Sequence, residues 1–456
     1  SLSPELSTPL VNGLIMLLAT SLLAGVVVAY VELQSPLLAA AAGLVLALYP
    51  SVGNTLKYVH LADGYQIAAL LAVVSLLVTD RYRFGWVAGV PLLALALGTY
   101  QANLSLVLAL MLVRALQLLI KPGVQVRSLL RLALRYALYA ASALAVYYVL
   151  VGVFSRIYGI PLSDYQSVSS MGQWTPALVW DNFLACYRDF RKEITFLSFR
   201  PGFYINGYAN YLFVPLAMGL VVAAYLSLRD KTPLKTAMLI ALLALSPFLL
   251  CSIHIFNPAS VYSLMTYSMA GLYLIGLVAM ERLPDVLLRL TQAARDKAGL
   301  MQSSLRGTRV LLVAVSWILI ICLVVCLYAW AAGINVDYYN AQLDYGNMYA
   351  QCSLYLSLAE AAEGYTQGMP IYVLGTARAG VSSRANTLLN GPKAFYAFMK
   401  FMLGVQMPYG IAGDIDAAAK QFMQGDTYRQ MPAYPATGCA LVADGAVYVK
   451  LAEATR

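Results

Sequence analysis

Few residues in this chain carry groups able to do chemistry, so the clusters they form stand out. Lys57-Tyr58-Val59-His60-Leu61-Ala62-Asp63-Gly64-Tyr65-Gln66 brings an ammonium, an imidazole and a carboxylate close together in sequence. Asp63 opens an apolar run, where a carboxylate suits a helix N-cap by accepting orphan N–H groups. Beside Lys57 and His60 the same carboxylate also suits a base that takes a proton from a hydroxyl. Both roles stay open, and one residue can fill both. A second cluster, Gly98-Thr99-Tyr100-Gln101-Ala102-Asn103-Leu104-Ser105, interrupts another apolar run. Polar groups at membrane depth must face protein or a wet cavity, so these residues either join helices or line a cavity.

The stretch 155–207, with Tyr208 directly after it, mixes Trp174, Trp180, Tyr187, Phe190 and Tyr204 with Asp181, Arg188, Asp189, Arg191, Lys192, Glu193 and Arg200. Aromatics near a bilayer commonly form a belt. Mixed with guanidinium and ammonium groups, they also suit a sugar ring stacked on an aromatic face and a phosphate held by cations. The chain holds six cysteines and, as histidines, only His60 and His254, without CxxC or Cys/His spacing, so a zinc site is not expected, no cofactor is implied, and a divalent cation stays open without being indicated by the sequence. Cys352 and Cys439 are the one pair for which a disulfide is conceivable, Cys251, Cys322 and Cys326 reading as packing residues. Neither a Rossmann nor a Walker glycine pattern occurs, which argues against a nucleotide-fuelled transporter and a cytosolic nucleotide-sugar enzyme.

The elements that position these residues follow from composition. Of 456 residues, 61% are hydrophobic and 11% charged, and the mean hydropathy is +0.71. A soluble domain is nearer half apolar and a quarter charged, so this chain reads as a polytopic membrane protein. Apolar runs long enough to cross a core of about 30 Å lie near 9–30, 35–50, 64–80, 85–100, 102–120, 134–154, 208–228, 236–252, 262–280 and 309–332. The formal charge is +9, yet residues 333–456 hold 8 basic and 9 acidic residues, so the excess sits among the spans. Arg81 and Arg83; Lys121, Arg127, Arg131 and Arg135; Arg229, Lys231 and Lys235; and the basic residues of 282–309 then all fall on one side. By the positive-inside rule that side is cytoplasmic, and nucleic acid is not implied.

The outer side receives the loops 51–63, 155–207 and 252–261, the N-terminus and a domain of residues 333–456. An N-out start without a charged leader predicts a further helix upstream in the full gene product. Residues 281–308 read as a basic amphipathic helix on the inner surface or as a solvated connector. In the C-terminal domain, helices are expected at 337–363, 385–404 and 413–424, a buried strand at Pro370–Gly375, and a hairpin over 439–451 turning at Asp444-Gly445.

Read together, "KYVHLADGYQIAALLAV", "LALGTYQANLS" and "MPAYPATGCALVADGAVYVKLA" resemble the Gtr type II bacterial glucosyltransferases, in order and spacing over essentially the whole chain. The resemblance implies a mainly α, GT-C-like polytopic enzyme of the bacterial inner membrane with an outward-facing site. Its donor would be polyprenyl-phosphate glucose, and its acceptor a hydroxyl of a surface polysaccharide such as O-antigen. Asp63, Tyr100, Gln101 and Lys450 fall on matching positions. Such enzymes usually carry an acidic pair in their first outer loop, upstream of the point where this chain begins. They also tend to have an Arg where this sequence reads Asn257-Pro258-Ala259-Ser260-Val261-Tyr262, leaving His254 as a phosphate partner or the donor held differently.

Transfer from a phosphate-linked sugar needs a base for the acceptor hydroxyl and cations for the departing phosphate. Asp63 is the candidate for base or acceptor positioning. Lys57, Arg191, Lys192, His254 and Lys450 are candidates for the phosphate. Tyr58, His60, Tyr100, Gln101, Trp174 and Trp180 are candidates for sugar or acceptor contact. The competing readings are a lipid-linked sugar flippase or other transporter and a non-catalytic membrane subunit. The absence of internal repeats and the size of the outer domain count against a transporter.

Overall fold

The structure is a computed structural model and describes residues 9–56, 58–159, 175–195, 204–256, 261–295, 300–374, 399, 403–404 and 417–451. It divides into two compact units, Ser1–Ile334 and Asn335–Arg456.

The first unit is a helical bundle built from the apolar runs. Six of the described helices are long and apolar enough to cross a membrane: Leu10–Val31, Leu61–Arg81, Val126–Tyr158, Gly207–Leu226, Pro233–Leu250 and Ser303–Glu360. They belong to α1 (Pro9–Val31), α4 (Val59–Arg81), α7 (Val126–Tyr158), α9 (Tyr204–Leu226), α10 (Pro233–Leu250) and α14 (Leu300–Glu360). Helices α2 (Pro36–Leu48) and α3 (Pro50–Leu56) form a further pair bent by 42°. The break falls at Tyr49-Pro50, as expected for a residue held extended before proline. Three remaining apolar segments are shorter: α5 (Gly85–Thr99), α6 (Asn103–Leu119) and Tyr267–Glu281, which ends in α12 (Ala270–Glu281). At 1.5 Å per residue, α6 rises only about 26 Å. Along its length α6 is largely enclosed by protein, and Ala270–Met280 of α12 is wholly buried. Both sit in the middle of the core, where neighbouring side chains replace lipid.

Close packing fixes the α4–α5 pair. Gly85 and Gly89 are one turn apart on α5, and a Cβ on Gly89 would lie 1.9 Å from Thr79 Oγ1 and 2.8 Å from the Ser75 carbonyl. Glycine at this spacing lets two backbones approach, the small-xxx-small device of membrane helices.

Polar contacts tie the helix ends together. At one end Arg114 pairs with Glu32 at 2.8 Å, and Glu281 accepts from the Gln34 N–H at 3.3 Å. There too Arg135 donates to the Asp80 carbonyl at 3.4 Å and Arg289 to Ser227 at 3.1 Å. The segments carrying Arg81, Lys121, Arg135, Lys235 and Arg282 therefore gather at this end. At the other end Ser252 donates to Ser105 at 2.9 Å, and Cys186 Sγ donates to the Cys251 carbonyl at 3.2 Å.

Three segments depart from expectation. The loop expected at 51–63 is occupied by α3 and the first residues of α4. The stretch 155–207 contains α8 (Pro176–Thr195), a helix of 20 residues. Residues 281–308 contain α13 (Leu283–Arg295), but Val286 is buried in the bundle core, with Leu283, Leu287 and Leu290 packed against it. Its apolar face packs in part against the bundle core.

In the second unit β1 (Ile371–Leu374) pairs in parallel with β3 (Ala446–Lys450), and β3 pairs antiparallel with β2 (Ala440–Ala443). The Asp444-Gly445 turn joins β2 to β3, both residues having positive φ, as a type I′ turn requires. One face of the sheet packs Ile371, Val373, Val447 and Val449 on Cys352, Tyr355 and Ala359. The other packs Tyr372, Leu374 and Tyr448 on Ala419 and Tyr428. The helix Ala417–Gln424 falls inside the expected 413–424, while most of 385–404 lies outside the described residues. Cys352 and Cys439 are both buried free thiols, not a disulfide; Cys352 serves instead as a small apolar residue of the first face.

Candidate active site

Helix α8 lies at the end of the bundle opposite the basic clusters, against α9, α10 and α11 (Ile253–Phe256). Asn182, Ala185 and Cys186 are buried, and steps of four, three and four residues carry the same face through Asp189 to Glu193. Such spacing aligns side chains on one side of a helix. The face thus changes from apolar to acidic along its length and delivers two carboxylates to one place.

They meet there a cavity of about 480 Å³ lined by Asp189, Lys192, Glu193, His254, Tyr262 and Thr266, among others. That volume lies within the range of small-molecule sites. Asp189 Oδ2 is 2.9 Å from His254 Nε2, and Asp189 Oδ1 is 2.8 Å from Lys192 Nζ. Arg188 Nε is 3.7 Å from the same carboxylate. Burial works to raise the Asp189 pKa, but the Lys192 hydrogen bond and the surrounding cations prevail and hold it below the usual value. Burial lowers the His254 pKa, which Asp189 only partly offsets, so the imidazole is neutral near pH 7. In that form Nε2 carries the proton it donates to Asp189.

Glu193 behaves differently. Burial pushes its pKa up to about 7; a hydrogen bond from Thr266 opposes the rise and the Asp189 charge adds to it. Its Oε2 is buried and accepts no hydrogen bond among the described residues. Two carboxylates one turn apart are thus driven apart in acidity, one fixed as an anion and one poised to exchange a proton near neutrality.

A model of the family described as Glucosyl transferase GtrII matches residues 2–275. The chain belongs to this family. No curated protein and no solved structure matches it. GtrII membership makes the protein a glucosyltransferase, and the match contains every residue of the cavity named above. It stops before the tail motif, whose likeness it leaves untested.

Of the residues expected to hold the donor phosphate in this GtrII glucosyltransferase, Lys192 and His254 come together on Asp189. Arg191 is exposed on α8 beside them in sequence, and Lys57 lies outside the described residues. Lys450 belongs to the second unit. Its ammonium donates to the carbonyls of Tyr428 at 2.7 Å and Met431 at 2.9 Å, and lies 4.5 Å from the centre of the Tyr428 ring.

Asp63 is not an N-cap, because α4 begins at Val59 with Tyr58 as its cap residue. It lies in the second turn, 2% exposed, with Oδ1 lacking a hydrogen-bond partner among the described residues. The residues lining the cavity around Glu193 do not include it. Tyr58 is half-buried, the His60 side chain and Trp174 lie outside the described residues, and Trp180 is 60% exposed and stacked on Phe183. Tyr100 stacks on Tyr65 with ring centres 4.4 Å apart, and Gln101 donates to the Tyr147 hydroxyl at 2.9 Å. Tyr65 and Tyr100 line a tight second recess with Ser51, Gln66 and Asn103. Residues 261–269 wall both spaces, Thr266 facing the cavity and Tyr267 the recess.

Asp189 and Glu193 are the residues that sequence reasoning left without a role. The signal was the helical spacing of Asn182, Cys186, Asp189 and Glu193, obscured by reading the stretch as a loop.

Proposed function

We propose that this GtrII protein moves a glucosyl group from polyprenyl-phosphate glucose to a hydroxyl of a surface polysaccharide such as O-antigen. The reaction would occur in the cavity around Glu193, on the outer face of the bacterial inner membrane, within a GT-C-like architecture. Residues 333–456 would lie on that outer side. The observation that carries the reading is the gathering of Asp189, Lys192, Glu193 and His254 in one cavity at the end opposite the basic clusters. A positive-inside orientation would turn that end outward.

Glu193 takes the proton of the acceptor hydroxyl as its oxygen forms the new bond to the sugar C1. The C1–O bond to phosphate breaks, and its electron pair leaves with the phosphate oxygen. Lys192 and Arg188 meet the charge gained there, while Asp189 holds Lys192 and His254 in place. Asp63 is the second candidate for acceptor positioning.

The test is transfer of labelled glucose from polyprenyl-phosphate glucose to isolated polysaccharide by purified protein in vesicles. Transfer that Glu193→Gln abolishes supports the reading. Transfer abolished by Asp63→Asn but kept by Glu193→Gln moves the base to Asp63. Lipid translocation without transfer would replace the reading by a flippase.

A further inference from the structure

The bundle holds a second large cavity at its other end, about 520 Å³, between α1, α4 and α6. Its lining is divided. Val28, Leu33 and Leu77 give it an apolar wall, and Glu32, Asp80, Arg81 and Arg114 give it a charged one. The charged groups sum to zero formal charge but are unequally paired. Glu32 and Arg114 share a 2.8 Å ion pair, whereas Asp80, which accepts a hydrogen bond from Tyr136 and feels the charge of Arg135, has Arg114 Nε at 3.8 Å, beyond hydrogen-bond length. That Nε is itself buried without a hydrogen-bond partner among the described residues. Arg81 is exposed at the rim. Asp80 and Arg81 thus remain as a carboxylate and a guanidinium on one cavity wall.

The backbone at the end of α1 places Glu32 at the cavity. Glu32, directly after α1, has φ 52°, in the left-handed region that non-glycine residues rarely enter. It is the left-handed residue of a helix C-cap, closed by the Leu33 N–H donating to the Val28 carbonyl at 3.4 Å. Here it turns Glu32 onto Arg114 at the mouth of the cavity.

We infer that this cavity binds the headgroup of a phosphatidylethanolamine-type lipid. The ammonium would be held by Asp80 and the phosphate by Arg81, with the glycerol and first methylenes on Val28, Leu33 and Leu77. A ligand carrying both charges satisfies both unequally paired groups. An anionic headgroup would satisfy Arg81 but leave Asp80 facing like charge, and a soluble zwitterion would leave the apolar wall unused. The site lies at the end of three membrane-length or near-membrane-length helices, where lipid headgroups are the abundant ligand. The inference stands apart from the transfer reaction, which uses the opposite end.

The experiment is native mass spectrometry of the full chain released from nanodiscs holding equal amounts of phosphatidylethanolamine, phosphatidylcholine and phosphatidylglycerol. Phosphatidylethanolamine should be retained about tenfold over the other two, the worth of one charge-assisted hydrogen bond. Asp80→Asn and Arg81→Gln should each erase that preference. Equal or stronger retention of phosphatidylglycerol by the wild type overturns the inference without any variant. A phosphatidylethanolamine preference that survives both substitutions overturns the assignment of the site.

Discussion

Replacing Glu193 by Gln should make the protein more stable and inactive, and the size of the first effect should depend on pH. The folded-state pKa of Glu193 is raised from 4.5 to about 7. Between those values the native state holds a proton that the unfolded state has released. Stability from this group is therefore full below pH 4.5 and lost as pH rises through 7. At 1.36 kcal/mol per pKa unit, the loss amounts to about 3 kcal/mol. Glu193→Gln cannot ionise and escapes it. Thermal unfolding in detergent should show the variant and wild type alike near pH 4.5. The variant should gain steadily to pH 7 and hold a constant advantage above it. Glucosyl transfer should fall by about 10²–10⁴, the usual worth of a general base, and wild-type transfer should rise with pH through about 7. A stability gap that does not change with pH would show that Glu193 is not buried as described. Retained transfer by the variant would remove it from the chemistry.

Three further perturbations separate the parts of the molecule. Lys192→Met should raise the KM for the lipid-linked donor far more than that for the polysaccharide, read by steady-state kinetics with each substrate varied. Gly89→Ala forces a Cβ onto Thr79 and the Ser75 carbonyl and should cost about 1–3 kcal/mol by overpacking, seen as a lower unfolding temperature. Lys450→Met removes two hydrogen bonds within the second unit and should increase proteolysis of residues 335–456 while leaving the KM for donor unchanged. A raised donor KM would return Lys450 to the phosphate site.

The spans were legible in the sequence because lipid demands unbroken apolar length. Each expected run corresponds to one of the six long helices, the bent α2–α3 pair or one of the three shorter segments. The short ones escape the length demand because α6 and α12 are shielded by protein. The hairpin was legible because Asp444-Gly445 has few other uses between two apolar runs. Helix α8 was not, since its buried face ends in Asp189 and Glu193, and charge there reads as solvent exposure until a cavity is known to receive it. Asp63 looked like a cap because the apolar run begins beside it, whereas the helix itself starts at Val59. Gly85 and Gly89 carry the small-xxx-small spacing in the sequence, but spacing alone does not name the helix that packs on them. The apolar stripe of α13 is the same whether lipid or protein covers it, so periodicity alone could not tell which.

Mounting both carboxylates and Lys192 on one helix makes their aim depend on a single phase angle. Each residue added to a helix turns everything beyond it by about 100°. One residue inserted between Cys186 and Asp189 would leave every span intact, yet swing Asp189, Lys192 and Glu193 out of the phase set by the buried Asn182, Ala185 and Cys186. A deletion of one residue would do the same in the opposite sense. Insertion of a full turn would instead bring back nearly the original phase while moving the set about 5.4 Å along the axis. Length changes between Cys186 and Asp189 should therefore be read as rotations of the site, and they should abolish transfer together with the donor contact.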